Sequence, residues 1–425
     1  MITRIEAKGY RCLEYVNQRL GAFHVLVGQN ASGKTTFLDT LAFLGRMLSD
    51  GLDSAIDERT DDFSDLLWNH EGDSFELAVE ASIPKPLTKK LHKHFETFRY
   101  EIKIGIDKET ERPGILDEKA WLQLGKDGEQ SVVQRDLFPM DMVVPDTLFK
   151  KKVNGQRVLS KTYGKNDNFY VEVRDKERQN AKGWFPSIRL GSRKSALANL
   201  PEDEGKFPVA TWFKGLMIEG VQNITLNSLK LRKPSPAGLK KGRHNGFSPD
   251  GSNLPWVVYG LEQLADQAKY KNWIEHIRTA LPEIEDVKTI ERPEDRSRYL
   301  VLCYQGGLKV PAWMASDGTL RLLALTIPAF LPKFSGLCLI EEPENGIHPR
   351  AVETVFQSLS SVYDAQVLLA THSPVILSIA DVSQVLCFKK TARGATDIVS
   401  GLEHPALRNW KGEVNLGELY AGGVL

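Results

Sequence analysis

Several stretches within the first 124 residues alternate between apolar and polar residues, which is the pattern of strands with one buried face. Residues 2–20 alternate as the two arms of a hairpin would, and the stretches 75–83, 99–106 and 120–124 alternate as single strands. We therefore predict antiparallel strands that extend a sheet.

Elsewhere the apolar residues form short runs, which are typical of strands buried on both faces. The run at 337–340 is unbroken, and the mainly apolar stretches 23–27 and 366–370 contain one polar residue each, His24 and Gln366. Stretches with apolar residues three or four positions apart predict amphipathic helices, and they lie at 37–48, 320–327 and 352–359. Strands that alternate with helices imply an α/β fold with a parallel sheet, in which ligands bind at the carboxyl ends of the strands.

The middle of the chain has fewer periodic segments. Residues 125–250 are rich in Lys, Asn, Gly and Pro, and the basic stretch 230–244 is typical of a loop. Two helices are predicted at 254–265 and 270–280, and strands resume at 298–304. We therefore predict a mixed or parallel sheet flanked by helices, with an antiparallel β subdomain and a helical insertion. The predicted parts are an N-terminal part at 1–85, an inserted β and helical region at 86–295, and a C-terminal part at 296–425.

Composition changes this picture only slightly. A chain of 425 residues is long enough for about two to three domains, and its 55 Lys and Arg residues balance its 55 Asp and Glu residues. Net charge therefore indicates nothing about a partner. Cys338 and Cys387 lie in apolar runs, which predicts buried free thiols and a reducing compartment. We find no signal segment and no apolar run near about 18 residues, so we expect a cytoplasmic protein without a membrane partner.

Residues 28–35 (GQNASGKT) fit the phosphate-binding pattern G-x-x-x-x-G-K-[ST] and lie between a predicted strand and a predicted helix. Glycines let successive backbone N–H groups point at phosphate oxygens, and the helix N-terminus adds partial positive charge. Lys34 would reach the β- and γ-phosphates of a nucleotide, and the Thr35 hydroxyl would hold Mg²⁺. A glycine-rich turn without a ligand is the alternative. The candidate ATP-binding residues of this loop are Gly28, Asn30, Ala31, Ser32, Gly33, Lys34, Thr35 and Thr36.

Two glutamates, Glu341 and Glu342, close a buried strand far along the chain from this loop. At the end of a strand beside the P-loop strand, one carboxylate can complete a Mg²⁺ site and the other can orient or deprotonate an attacking water. His372 follows a second buried strand, where it could contact a γ-phosphate or its water. A solvated carboxylate pair and a structural histidine are the plainer readings.

Further motifs follow the P-loop in a definite order. They are Ser-Asp-Gly-Thr-Leu-Arg at 316–321, LCLIEEPE at 337–344, NGIHP at 345–349 and ATHSP at 370–374. In this order they resemble the signature motif, Walker B strand, D-loop and switch histidine of the ABC-type ATPases of the RecF, SMC and OLD group. The resemblance covers roughly the first 80 and the last 130 residues, and is weaker around the DGSNLP stretch.

The resemblance implies a P-loop ABC-type ATPase that binds ATP with Mg²⁺ and hydrolyses the ATP. Such ATPases form head-to-tail dimers around two ATP molecules, so Ser316 and Gly318 would contact the γ-phosphate held by the partner copy. Glu342 would be the general base and His372 the γ-phosphate sensor. Glu341 stands where transporters have aspartate, and it would join Thr35 at the metal.

The chain also departs from the family pattern. Its signature lacks the full Leu-Ser-Gly-Gly-Gln sequence, which leaves contacts beyond Ser316 and Gly318 open. The glutamine of the Q-loop cannot be placed, and residues 62–69 are where we would expect that loop. Only 53 residues follow His372, too few for the Toprim nuclease domain of OLD proteins. We therefore expect an ATPase without its own nuclease.

Three functions follow from these expectations. The first is an ATP-hydrolysing switch that forms a homodimer or higher homo-oligomer and acts as the regulatory or scaffold subunit of a prokaryotic anti-phage defence system, with a separate nuclease or toxin as effector. The second is a RecF-like DNA-repair clamp, and the third is a nucleotide-gated scaffold with little turnover. Nucleic acid could be contacted by the basic stretch, although such a stretch is more often a solvated loop. Its cations are Lys230, Arg232, Lys233, Lys240, Lys241 and Arg243.

Overall fold

The computed structural model describes residues 1–125, 135–151, 153–173, 187–201, 203–239, 246–332, 334–408, 410 and 414–425. The strands are β1 (Ile2–Tyr10), β2 (Leu13–Arg19), β3 (Phe23–Gly28), β4 (Ser74–Ser82), β5 (Thr97–Ile106), β6 (Pro113–Gln123), β7 (Gly155–Thr162), β8 (Asn168–Phe169), β9 (Val221–Ile224), β10 (Ile284–Glu291), β11 (Arg298–Tyr304), β12 (Lys309–Pro311), β13 (Gly336–Glu341), β14 (Ala365–Thr371), β15 (Val385–Lys390) and β16 (Thr396–Ser400). The helices are α1 (Lys34–Asp50), α2 (Leu52–Asp57), α3 (Lys85–Thr88), α4 (Pro208–Gly215), α5 (Ser228–Arg232), α6 (Leu254–Glu262), α7 (Ala268–Ala280), α8 (Asp317–Thr326), α9 (Pro349–Ser360), α10 (Pro374–Ile379) and α11 (Leu416–Ala421).

The chain divides into two compact units. Unit 1 contains residues 1–21, 28–221 and 386–408, and unit 2 contains residues 22–27, 222–385 and 409–425. The chain passes from one unit to the other several times, including within β3, β9 and β15, so each unit is assembled from segments far apart in sequence. The division predicted from composition, at 1–85, 86–295 and 296–425, stays a prediction.

Unit 1 is built on an antiparallel sheet of seven strands in the order β2-β1-β4-β5-β6-β7-β8. The predicted hairpin is β1 and β2, and the three further predicted strands are β4, β5 and β6. Helix α1 packs on the sheet through Phe43, whose ring lies 5.9 Å from that of Tyr10 and 5.7 Å from that of Phe75. All three rings are buried, because burial of apolar area drives the helix onto the sheet.

The same sheet carries charged side chains that are also buried. Arg99 is 1% exposed and forms ion pairs with Glu6, Glu80 and Glu101, while its Nη2 donates to the carbonyl of Leu148 at 3.0 Å. Burial alone would lower the pKa of Arg99, but the three carboxylates raise it beyond its ordinary value. The guanidinium therefore stays charged and neutralises part of a cluster of buried glutamates.

Unit 2 contains the parallel strands β3, β14 and β13, with β9 next to β13. In this order β14 lies between β3 and β13. The expectation that Glu341 and Glu342 end a strand beside the P-loop strand is therefore wrong, since the parallel strand that pairs with β3 is the one that leads to His372. An unbroken apolar run predicts burial on both faces but not which strand pairs with which.

Unit 2 also contains an antiparallel sheet of β10, β11 and β12 and helices α5 to α11. Helices α6 and α7 correspond to the predicted pair, and β11 to the strand predicted at 298–304. The α7 and α8 helices are joined by a buried hydrogen bond of 3.0 Å from Trp273 Nε1 to Thr326 Oγ1. The α/β fold class with helix-flanked sheets is confirmed.

Other expectations meet the structure in part. The basic stretch is not wholly a loop, because α5 ends within it at Arg232 and a short 3₁₀ turn covers Ala237–Leu239. Lys240, Lys241 and Arg243 lie outside the described residues.

Cys338 and Cys387 are buried free thiols, and burial raises the pKa of each to about 12. Within the described ranges, no helix combines the length and apolar character needed to cross a membrane.

Candidate nucleotide site

The P-loop curls around the ammonium group of Lys34. The Nζ atom of Lys34 donates to the carbonyl oxygens of Gly28 at 2.8 Å and Gln29 at 3.1 Å. Two loop residues have left-handed backbone, Ala31 with φ 61° and Gly33 with φ 104°. Backbone of this kind turns successive N–H groups toward one concave side, which is the arrangement that binds phosphate oxygens.

Strands β15 and β16 support the loop from behind. A Cβ atom at Gly33 would lie 2.2 Å from Thr396 Oγ1, and one at Gly28 would lie 2.2 Å from the carbonyl oxygen of Phe388. The Thr396 hydroxyl also donates to the carbonyl of Ser32 at 2.9 Å. Both glycines are therefore required by close approach of the neighbouring strands, in addition to any role at a phosphate.

The remaining P-loop residues present suitable groups for a nucleotide with a metal ion. Asn30 and Ala31 are exposed, and Thr35 is exposed on the first turn of α1 while Thr36 is half-buried. Ser32 is buried, and among the described residues its Oγ atom has no hydrogen-bond partner. An unpaired buried hydroxyl beside a lysine suits a phosphate oxygen, which accepts hydrogen bonds from both.

A cluster that was not predicted ties α1 to the end of β1. Asp39 accepts a hydrogen bond of 2.6 Å from Tyr10 Oη and bonds of 2.8 and 2.6 Å from Arg59 Nε and Nη2. Arg11 Nη1 lies 3.5 Å from the same carboxylate. Burial and the Asp39 charge raise the pKa of Tyr10 well above its ordinary value. Tyr10 is fully buried and is thus a packing residue of this cluster.

In unit 2, β3 and β14 end at the same level, with Val27 opposite Thr371. The P-loop follows β3 along the chain and His372 follows β14. In the same register Glu341, the last residue of β13, lies opposite Ala370. Three of the predicted motifs thus begin where parallel strands end, which is the edge at which α/β sheets bind ligands.

Glu342 has an unusual backbone and two polar neighbours. Its φ of 47° is left-handed, a conformation that costs roughly 1–2 kcal/mol for a residue other than glycine. Its N–H donates to the carbonyl of Ala370 at 2.8 Å, and Asn345 Nδ2 donates to its Oε2. Its Oε1 lies 3.8 Å from His372 Nε2. The structure therefore brings together the two predicted catalytic residues, and strained backbone is common at such sites.

A third carboxylate, Glu344, clamps the loop that carries the histidine. Its Oε1 accepts hydrogen bonds from Thr371 Oγ1 at 2.5 Å and from the His372 N–H at 3.1 Å. Tyr420, on α11, contributes a hydroxyl 3.2 Å from His372 Nδ1. The sequence indicated Glu344 only as part of its motif and did not indicate Tyr420, because no local pattern joins two residues so far apart.

The signature residues lie in unit 2 at the start of α8. Ser316 is the N-cap of this helix, with its Oγ accepting from the Thr319 N–H at 3.1 Å, and it is exposed. A Cβ at Gly318 would lie 2.6 Å from the carbonyl oxygen of Gly346, so the signature packs directly on the D-loop. Arg232 pairs with Asp317 at 2.7 Å, which holds α5 against the same turn.

The basic stretch offers less free charge than its sequence indicates. Lys230 pairs with Asp250 at 2.6 Å, and Arg232 pairs with Asp317.

The segment 62–69, where we expected the Q-loop, forms 3₁₀ turns at Phe63–Leu66 and Trp68–His70 and contains no glutamine.

Comparison with known proteins identifies the family. Residues 23–138 and 161–378, more than half of the chain, match the sequence model of the family described as "AAA domain, putative AbiEii toxin, Type IV TA system". The chain belongs to this AAA-domain family. No curated protein matches the chain in sequence.

One solved structure shows the same fold, and two more are similar at lower scores. The SMC head bound to the C-winged-helix domain of ScpA matches with a TM-score of 0.52 and 16% identity, over 94% of this chain and 97% of that one. A second match is the Smc head domain with an extended coiled coil bound to the C-terminal domain of ScpA, from Pyrococcus furiosus, with a TM-score of 0.49 and 14% identity over 94% and 95% of the two chains. The SMC head domain of Thermotoga maritima matches with a TM-score of 0.43 and 10% identity over 94% and 98%. The family model confirms the predicted AAA family, and the SMC head bound to ScpA confirms the predicted fold.

Proposed function

We propose that this protein hydrolyses ATP with Mg²⁺ in a dimer that encloses two nucleotides, and that it is the regulatory or scaffold subunit of a prokaryotic anti-phage system. The observation that carries the catalytic part is the cluster of Glu342, Asn345 and His372 at the end of the parallel strands. The family description, which names a putative toxin of a toxin–antitoxin system, supports a role in defence.

In the proposed reaction each group has one task. Lys34 and the P-loop N–H groups bind phosphate oxygens, while Glu342 accepts the proton of the attacking water. Asn345 holds one oxygen of Glu342, which leaves the other free to face the water and His372. Thr35 and Glu341 would hold Mg²⁺, because hydroxyl and carboxylate oxygens are its preferred ligands, and the ion would neutralise charge on the phosphates.

Ser316 and Gly318 are proposed to contact the γ-phosphate bound by the partner copy. The exposed Ser316 hydroxyl and the N-terminus of α8 are suitable donors for an anion. This part of the proposal makes dimer formation depend on ATP, and it makes the two sites complete only in the dimer.

The test measures the mass of the protein assembly in solution, which reports dimer formation, and the rate of phosphate release, which reports ATP hydrolysis. Wild-type protein, Lys34→Ala and Glu342→Gln are compared with and without Mg-ATP, alongside the exposed controls Lys108→Ala and Glu294→Gln. We expect Lys34→Ala to lose ATP binding. We expect Glu342→Gln to bind ATP, to release phosphate about 10²- to 10⁴-fold more slowly and to accumulate the dimer.

Other outcomes favour other functions. Tight ATP binding by Lys34→Ala would contradict the P-loop assignment, and an unchanged rate in Glu342→Gln would remove its role as base. If hydrolysis is slow in wild type, and Glu342→Gln changes neither rate nor assembly, the nucleotide-gated scaffold is favoured. ATP-dependent, salt-sensitive DNA binding that Lys233→Ala weakens would favour the DNA clamp.

A further inference from the structure

The last helix of unit 2 contacts the candidate switch histidine. Helix α11 lies against α10 so closely that a Cβ at Gly417 would come within 2.2 Å of the carbonyl oxygen of Pro374. Asn415 caps α11 by accepting from the Glu418 N–H at 2.9 Å. This packing places the hydroxyl of Tyr420 at 3.2 Å from His372 Nδ1.

The imidazole of His372 is thus held between a hydroxyl and a carboxylate. Its Nδ1 faces Tyr420, and its Nε2 lies 3.8 Å from Glu342 Oε1. The backbone N–H of His372 is bound to Glu344 at 3.1 Å, which fixes the position of the residue but not where its ring proton sits.

Electrostatics favour one of the two neutral forms of this ring. A neutral imidazole has a proton on one nitrogen and a lone pair on the other. A lone pair on Nε2 would face the Glu342 carboxylate and be repelled, whereas an Nε2–H would be attracted. The proton therefore belongs on Nε2, and Nδ1 accepts a hydrogen bond from the Tyr420 hydroxyl.

Tyr420 keeps the proton that it needs for this role. Burial, and then the charge of Glu344, raise the pKa of Tyr420 above its ordinary value. The hydroxyl therefore keeps its proton near neutral pH and can donate a hydrogen bond.

We propose that Tyr420 is a positioning residue, which holds His372 in the form with its proton on Nε2 so that the histidine presents a hydrogen-bond donor beside Glu342. A donor at this place suits a phosphate oxygen, which only accepts. The effect on ATP hydrolysis rests on the proposed function, but the placement of the proton does not.

The experiment measures the proton and the rate separately. Two-bond nitrogen–proton NMR spectra of protein with ¹⁵N-labelled histidine report the form of each ring, and the His372 signal is the one lost in His372→Gln. Tyr420→Phe is compared with wild type and with Tyr363→Phe, a control whose ring is 92% exposed. ATP affinity and phosphate release are measured on the same samples.

We expect wild type and Tyr363→Phe to show the Nε2–H form of His372, and Tyr420→Phe to show a mixture of both forms. We expect phosphate release by Tyr420→Phe to fall roughly 3- to 10-fold, the loss that one hydrogen bond gives, with ATP affinity unchanged. A purely structural role would leave the form of the ring unchanged.

Several results would overturn the proposal. An Nδ1–H form in wild type refutes it without any variant, and so does an unchanged His372 signal in Tyr420→Phe. A mixture of forms with full phosphate release would show that the position of the proton does not affect hydrolysis. If wild type does not hydrolyse ATP, the proposed function fails, while the NMR spectra still decide whether Tyr420 places the proton.

Discussion

Replacing Gly33 with alanine tests how closely β16 supports the P-loop. Gly33 has φ 104°, and an added Cβ would lie 2.2 Å from Oγ1, 2.9 Å from Cγ2 and 3.0 Å from Cβ of Thr396. Real Cβ atoms do not approach other atoms so closely, so either the loop or β16 must move. The hydrogen bond from Thr396 to the carbonyl of Ser32 would be lost in that movement.

Two costs add in this variant. Left-handed backbone costs a residue with a Cβ about 1–2 kcal/mol, and forcing a methyl group into a packed site costs about 1–3 kcal/mol. Gly33→Ala should therefore lose roughly 2–5 kcal/mol of unfolding free energy. Because the loop must shift, ATP binding should weaken as well.

Matched variants separate the two costs. Gly394→Ala, in the turn between β15 and β16, has φ 85° but open space around the added Cβ, so it should lose only the backbone part. Thr396→Ala should lose about 0.5–1.5 kcal/mol through its hydrogen bond. In the double variant Gly33→Ala/Thr396→Ala, removal of Oγ1 and Cγ2 relieves most of the clash. Its loss of unfolding free energy should therefore be at least about 1 kcal/mol smaller than the sum of the two single-variant losses.

The assay is urea unfolding of the four variants and wild type, with ATP binding measured on each. If Gly33→Ala is no less stable than Gly394→Ala, the close approach of Thr396 has no energetic consequence. If the Gly33 and Thr396 losses are simply additive, β16 does not support the loop, and the reasoning from contact distance is refuted.

Two further predictions concern buried charge in unit 1. Arg99→Met removes the cation that Glu6, Glu80 and Glu101 share, and within the described part of the chain only Glu80 keeps other ion pairs, with Arg4 and Lys150. The variant should cost about 3–5 kcal/mol in urea unfolding, whereas Arg46→Ala at an exposed pair should cost under about 1 kcal/mol. Burial lowers the pKa of His404 to about 4 from 6.5, so its contribution to stability is present above pH 6.5 and is lost as pH falls through 4. His404→Asn can still cap the following turn, and it should remove up to about 3 kcal/mol of that acid-induced loss of stability. The exposed control His70→Asn should leave the loss unchanged. Identical profiles of unfolding free energy against pH for wild type and His404→Asn would contradict this.

Much of the site could be predicted because its signals are local. The P-loop pattern is read from eight consecutive residues, and its strand and helix adjoin it. The runs at 337–340 and 366–370 predicted β13 and β14 to within one residue at each end. A strand buried on both faces needs an unbroken apolar run, so the sequence that forms it is recognisable without its neighbours.

The buried charges of unit 1 show where local patterns mislead. In β5, Phe98 and Tyr100 alternate with Arg99 and Glu101, which reads as one buried and one exposed face. Both faces are buried, because residues near Leu148 cover the charged one. Burial of the polar face depends on a segment about 50 residues away, and alternation along the strand contains no information about it.

Only the tertiary structure decided the strand order and the environment of His372. Either of the other two apolar runs could have paired with β3, and hydrogen bonding between strands selected β14. Tyr420 reaches His372 because α11 packs on α10, and that packing joins residues that are far apart in the chain. Local residue patterns are set by burial and backbone geometry, whereas such contacts exist only once the chain has folded.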